Sequence, residues 1–183
     1  DILDIAAAPG GKTTQISAIT KNGANITACE MNKIRAERLK YNIEKQGANA
    51  YVMVKDAREL DDFFSFDQIL LDAPCSGSGT TNIFETKFTQ ELIERSAKTQ
   101  EELLRKAIKI LKPGQEMVYS TCSILEQENE NILKKFLSKV DIVPIKEIPG
   151  IPTLPTKIEG TLCVCPSKLY ECFFVAKIKK RSL

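Results

Sequence analysis

The 183-residue chain contains no histidine. Imidazole chemistry at neutral pH is therefore closed to it, and any nucleophile or metal ligand must come from another side chain. It also has no long apolar run. None approaches the roughly 20 residues of a membrane span, and no charged-then-apolar leader is present, so neither insertion nor secretion is expected and the cytoplasm is the expected location. Net charge is nearly absent too, at +2 with a pI near 8.2. That is too mild to announce nucleic-acid binding, for which a domain pI above about 9 is the usual footprint. Two basic clusters, Lys33, Arg35, Arg38 and Lys40, and Lys177, Lys179, Lys180 and Arg181, read as solvated faces on this evidence.

What is present describes an ordinary globular domain, 43% hydrophobic and 27% charged. Six cysteines are scattered through a core-sized chain rather than set in a short secreted framework, which reads as free thiols. Two of them stand in distinctive places. Asp72-Ala73-Pro74-Cys75-Ser76-Gly77 follows one apolar run and Ser120-Thr121-Cys122-Ser123 follows another. Both thiols should emerge at carboxyl ends of buried strands, where open α/β sheets bind ligands. Thiolate is also the most nucleophilic side chain available near neutrality. Cys29 ends an apolar strand and reads as core. Cys163, Cys165 and Cys172 lack both the four-ligand spacing of a zinc site and a histidine to complete it, so no metal is expected.

Apolar runs alternate with segments of helical period. Strands are expected at Ile2–Ala6, Asn25–Cys29, Tyr51–Val54, Phe66–Leu71, Glu116–Tyr119, Asp141–Ile145 and Cys172–Ile178. Helices are expected at Gly11–Thr20, from the Asn32 cap to Gly47, from about Thr89 to Leu111, and at Glu126–Ser138, with a long loop from Pro149 to Pro166. The pattern predicts an α/β, three-layer doubly wound sheet in a single domain over residues 1–183.

The loop Ala7-Ala8-Pro9-Gly10-Gly11-Lys12-Thr13 lies between the first strand and first helix, where helix N–H groups favour an acidic or electron-rich ligand. Gly11-Lys12-Thr13 ends like a phosphate-binding P-loop, and Ile69–Asp72 resembles its metal-holding companion, so a nucleotide hydrolase is a real alternative. Against it, Ala6 stands where the first glycine belongs and Pro9 removes a backbone donor. No Gly-x-Gly-x-x-Gly is present for a dinucleotide. The arrangement left is that of S-adenosylmethionine: the loop near its amino-acid part, Glu30 on the ribose hydroxyls, Asp56 facing the adenine amino group. A carboxylate at the second strand end suits ribose and a cationic cofactor and repels phosphates. The plainer alternatives are helix caps, Glu30 for the helix after Asn32 and Asp56 for a helix starting near Ala57.

Taken in order, Ala7–Thr13, Asp72-Ala73-Pro74-Cys75-Ser76-Gly77-Ser78-Gly79, Tyr119–Ser123, Glu128-Asn129-Glu130 and Phe173-Phe174-Val175-Ala176-Lys177 resemble the Sun-type (Fmu-type) RNA cytosine-5 methyltransferases across nearly the whole chain. The resemblance implies a class I methyltransferase (Rossmann-like) sheet, mostly parallel with the last strand antiparallel. It implies S-adenosylmethionine as cofactor, bound by Ala6, Ala7, Ala8, Pro9, Gly10, Gly11, Lys12, Glu30, Arg35, Asp56 and Asp72. It implies RNA, ribosomal or transfer, as partner of a monomer free of membrane and metal.

By the same resemblance Cys122 attacks carbon 6 of cytosine, Cys75 assists breakdown of the adduct, and Asp72 stabilises charge at ring nitrogen 3. Chemistry alone leaves the order of the cysteines open, because DNA cytosine methyltransferases attack with a Pro-Cys cysteine like Cys75. It also leaves Asp72 open as a strand-end acid that only orients its loop. An unperturbed thiol is about 3% ionised at pH 7, so the site must raise the thiolate, with Lys12 and the cationic cofactor as available charges.

The chain departs from the family pattern at Thr80-Thr81-Asn82-Ile83-Phe84, where a basic Arg-Arg-x-Pro-like stretch is usual. It departs again at Gln115 and Cys172, each in place of a glycine. It opens directly on its first strand, so the family's N-terminal RNA-holding part is expected to be missing. A non-catalytic RNA-binding relative is the remaining alternative.

Overall fold

The computed structural model describes residues 1–80 and 89–182. Of the stretch Thr80–Phe84 that departs from the family pattern, Thr81–Phe84 lies outside the described residues.

Four parallel pairings build the first half of the sheet. β1 (Ile2–Ile5) lies between β2 (Ile26–Cys29) and β4 (Phe66–Asp72), β3 (Tyr51–Met53) adds outside β2, and β5 (Leu111–Thr121) adds beyond β4. β9 (Phe173–Lys180) then runs antiparallel to β5. The strand order is β3-β2-β1-β4-β5-β9-β8-β7, in which β8 is Leu162–Val164 and β7 is Thr153–Leu154. The direction reverses from β1 outward on either side, which places the ligand crevice at the carboxyl ends of β1 and β4.

Leu3, Ile5, Ile69, Leu71, Met117 and Tyr119 point to one face and join the main core with α3 (Gln90–Ile110). Along α3 the buried Ile93, Ser96, Gln100, Leu103, Leu104, Ala107 and Ile108 follow the helical repeat and form one stripe, with Ile110 also buried where the helix runs into β5. On the opposite face α1 (Gly11–Ile19) and α2 (Lys33–Lys45) flank β2 and β3, where Ala28, Leu39 and Ile43 close a smaller core. The doubly wound, three-layer expectation holds.

Three local expectations are corrected. The predicted helix Glu126–Ser138 is α-helical only at α4, Glu130–Lys134, with turns on both sides. The cause is Asn129, whose side chain accepts from Thr121 Oγ1 at 2.5 Å and donates to the Ser123 carbonyl at 2.8 Å, holding its backbone away from helix. The predicted loop Pro149–Pro166 carries the β7–β8 hairpin, two strands too short for any periodicity to register. Finally, β6 (Val140–Val143) is antiparallel to β9, so β6 and β8 share that strand's outer edge. The Lys112-Pro113-Gly114 turn survives as an irregularity inside β5, whose continuous ladder against β4 begins at Glu116.

All six cysteines are free. No helix among the described residues is long and apolar enough to cross a membrane.

Leu104 is fully buried on the core stripe of α3, whereas Leu169 is 84% exposed. Leu104→Ala should cost about 2–5 kcal/mol in urea unfolding, and Leu169→Ala should stay within about 0.5 kcal/mol of the parent.

Candidate active site

The loop after β1 is built to present backbone. Ala6 turns it with φ +59°, and Gly10 adopts φ +107° where a Cβ would lie 2.8 Å from Leu39 Cδ1. Only glycine fits there. The guanidinium of Arg35 donates to the Ala8 carbonyl at 2.7 Å and Asn42 Nδ2 to the Pro9 carbonyl at 2.8 Å, pinning the loop to α2. α1 then starts from Gly10 with no side-chain cap and no acid in its first turn, so its amino end stays open to an anionic group.

Glu30, just past β2, is 3% exposed. Its Oε1 accepts from Asn32 N at 2.9 Å, whereas Oε2 is buried with no hydrogen-bond partner among the described residues, 3.7 Å from Arg35. Asp56 caps the turn at Ala57–Glu59 and grips Arg58, whose Nη2 lies 2.6 Å from Oδ2. Both carboxylates line one cleft with Ala6, Arg35 and Pro74. The residues fit an adenosine group: hydroxyl donors of a ribose would satisfy the orphaned Glu30 oxygen, and the loop supplies backbone near its tail.

Next to this cleft the two motif cysteines meet. β4 and β5 pair in register up to Asp72 opposite Ser120, Ala73 N donates to the Ser120 carbonyl at 2.8 Å, and the chain beyond each strand brings Cys75 Sγ to 3.0 Å from Cys122 Sγ. The contact separates their acidities. The hydrogen bond from Cys75 brings Cys122 down to about 7, against burial and the charges of Asp72 and Glu171. The Cys75 thiol is held far up, first by that same hydrogen bond and then by burial. The contact therefore favours the proton on Cys75 and the negative charge on Cys122.

Lys12 reaches Asp72 instead of a thiol. Its Nζ donates to Oδ2 at 2.7 Å while Ser120 Oγ donates to Oδ1 at 2.8 Å, and the ammonium lies 5.6 Å from the Phe173 ring centroid. Nearby, Asp4 accepts from Thr13 Oγ1 at 2.6 Å, tying β1 to α1. Burial pushes Asp4 up to about 6.

A family model described as 16S rRNA methyltransferase RsmB/F matches residues 1–179. The chain belongs to this family. Ribosomal RNA small subunit methyltransferase F of Vibrio campbellii is 39% identical over an alignment of 191 positions that covers 98% of this chain and 40% of the relative. The crystal structure of NSun6 from Pyrococcus horikoshii with SFG has TM-score 0.91 at 34% identity, covering 100% of this chain and 48% of that one. The chain thus spans less than half the length of these relatives. The N-methyltransferase NodS of Bradyrhizobium japonicum, in complex with S-adenosyl-L-homocysteine, matches at TM-score 0.67 and 11% identity over 99% of this chain and 78% of its own, a likeness of fold alone. The fold is that of the class I S-adenosylmethionine-dependent methyltransferases, and S-adenosylmethionine is the cofactor of the RsmB/F family. The nucleotide-hydrolase alternative is set aside.

In this RsmB/F domain four buried polar residues lie behind the thiols, Ser76, Gln100, Ser123 and Glu128, none more than 5% exposed; three stand within the motifs above, which assign them no role, and Gln100 stands outside them. One signal was legible. Glu128 sits four and eight residues before Ile132 and Phe136 on the stripe expected to be apolar, and an acid there calls for buried partners. Among the described residues no group of three or more histidine, cysteine or acidic side chains is placed to hold a metal.

Two expectations test these electrostatics. Alkylation of Cys122 by iodoacetamide, mapped by mass spectrometry, should rise with pH about a midpoint near 7. In Cys75→Ala the midpoint should move up toward that of an ordinary thiol, about 8.5. The second concerns Asp4, which binds its proton more tightly folded than unfolded. The stability this contributes is complete below about 4 and is lost as pH rises through about 6. Asp4→Asn should therefore gain stability relative to the parent across that window, by at most about 3 kcal/mol, in urea titrations at a series of pH values.

Proposed function

We propose that this domain methylates carbon 5 of a cytosine in small-subunit ribosomal RNA, acting in the cytoplasm through a covalent Cys122 adduct. The observation that carries the reading is the contact of the Cys75 and Cys122 sulfurs at 3.0 Å beside the cleft lined by Glu30 and Asp56. S-adenosylmethionine, when bound, supplies an electrophilic methyl group; Glu30, Arg35, Asp56 and the Ala6–Lys12 loop would hold it.

Carbon 5 of cytosine is a poor nucleophile. Addition of the Cys122 thiolate to carbon 6 pushes the electron pair of the ring double bond toward carbon 5, which then has the character of an enamine and can accept the methyl group. Asp72, paired with Lys12, would stabilise charge at ring nitrogen 3. Loss of the carbon 5 proton to solvent restores the double bond as the sulfur–carbon 6 bond breaks and its electron pair returns to Cys122. The Cys75 thiol stabilises that departing thiolate with the same hydrogen bond that lowers its basicity. The base must be unstacked to be reached, as for other enzymes acting on base atoms.

Incubation with unmodified small-subunit RNA, followed by bisulfite sequencing, checks the outcome. Cys122→Ala should give neither methylation nor adduct. Cys75→Ala should accumulate a protein–RNA adduct, visible as a denaturation-resistant band, because attack persists while release stalls. Full turnover by Cys122→Ala would overturn the assignment.

A further inference from the structure

Both thiol loops are fastened to a single side chain. Glu128 lies in the turn before α4 and is fully buried. Its Oε1 accepts from Ser76 N at 2.8 Å, and its Oε2 accepts from Ser76 Oγ at 2.6 Å and Ser123 Oγ at 2.5 Å. Ser76 is the residue after Cys75, and Ser123 the residue after Cys122. A fourth donor, Gln100 Nε2 on α3, reaches Oε1 at 3.3 Å and the Pro74 carbonyl at 2.8 Å, while Gln100 Oε1 is buried without a partner among the described residues. Such an orphan is destabilising. The amide is oriented for the loop rather than for its own satisfaction.

The carboxylate also sets the direction of the surrounding hydroxyls. Because Ser123 Oγ donates to Glu128, the hydroxyl of Ser78, 2.8 Å away, must donate to Ser123, and it accepts in turn from Ile124 N at 3.2 Å. The backbone of Glu128 is fixed separately, its carbonyl accepting from the buried Tyr119 hydroxyl at 2.6 Å. Among the described residues no lysine or arginine forms an ion pair with this carboxylate. Stability alone does not account for a buried acid without a cation, since apolar residues of similar volume serve a core as well or better. What four converging donors do accomplish is a fixed distance between two loops that have no covalent link.

We propose that Glu128 is the positioning residue of the thiol pair: by clamping the residues after Cys75 and Cys122 to one carboxylate, it holds the two sulfurs in hydrogen-bond contact. This deepens the methyltransferase reading and rests on it for its catalytic meaning, but the clamp itself can be tested without RNA.

Glu128→Gln keeps the shape and loses the acceptor-only character, so at least one of the four donors must turn away. The variant should retain the parent's thermal midpoint within a few degrees and its affinity for S-adenosylhomocysteine. Its Cys122 alkylation should follow a pH profile displaced upward by about one unit, an approximately fivefold loss of alkylation rate at pH 7. On RNA carrying 5-fluorocytosine, adduct formation should slow by a similar factor with the KM for S-adenosylmethionine unchanged.

A folded, cofactor-binding Glu128→Gln whose alkylation profile overlays the parent's would overturn the clamp. If that variant does not fold, Ser76→Ala and Ser123→Ala each remove one donor at little steric cost. Each should move the profile the same way by about twofold, and overlap with the parent in both would overturn the proposal equally. A displaced profile in a protein whose parent forms no RNA adduct would uphold the clamp and refute the methyltransferase reading instead.

Discussion

Two thiols 3.0 Å apart cannot both hold the charge that a nucleophile needs, and much of the structure around them follows from that one contact. With no histidine in the chain, the usual means of generating a thiolate is missing. A second cysteine takes its place, donating a hydrogen bond that favours the anion on Cys122 and raises its own thiol. In the proposed reaction the same asymmetry suits the two cysteines to different tasks, Cys122 to attack and Cys75 to assist release of the adduct.

Holding two side chains at this distance is a problem of loop placement, and the sheet solves the coarse part of it. β4 and β5 are adjacent and parallel, so their carboxyl ends arrive together, with Asp72 opposite Ser120. The remaining freedom lies in the short segments beyond the strands. There the buried serines, Gln100 and Glu128 tie loop to loop, and Cys172 N, just before β9, donates to the Gly79 carbonyl at 2.8 Å. Gly79 has no room for a side chain, because a Cβ would fall 2.4 Å from that of Cys172. The cofactor cleft is separately braced, through Arg35 and Asn42 to α2 and through Thr13 and Asp4 to β1. The two half-sites thus share the edge of β4 but hang on different helices.

Much of this was legible beforehand. The strand ends carrying Glu30, Asp72 and Cys122 could be placed because an apolar run, its terminal polar residue and the glycine or proline after it are all local signals. The hairpin β7–β8 could not, since strands of two and three residues owe their existence to the free edge of β9 and not to their own pattern. Nor could the shortness of α4. Its helical stripe is real, but Asn129 finds better partners in Thr121 and Ser123 than in its own helix, and those partners are brought near only by the folded β5.

The sequence by itself determined the order of strands and helices, the glycine loop and the two cysteine motifs, because periodicity, capping and backbone restriction are properties of neighbours in the chain. Only the tertiary structure decided which groups meet. It gave Lys12 to Asp72 rather than to a thiol, bound Asp56 to Arg58, left one oxygen of Glu30 facing the cleft and made Glu128 the common acceptor of both loops. It also brought the sulfurs of Cys75 and Cys122, residues 47 positions apart, to 3.0 Å. Acidity and hydrogen bonding depend on distances of a few ångströms through space, and no pattern along the chain encodes those.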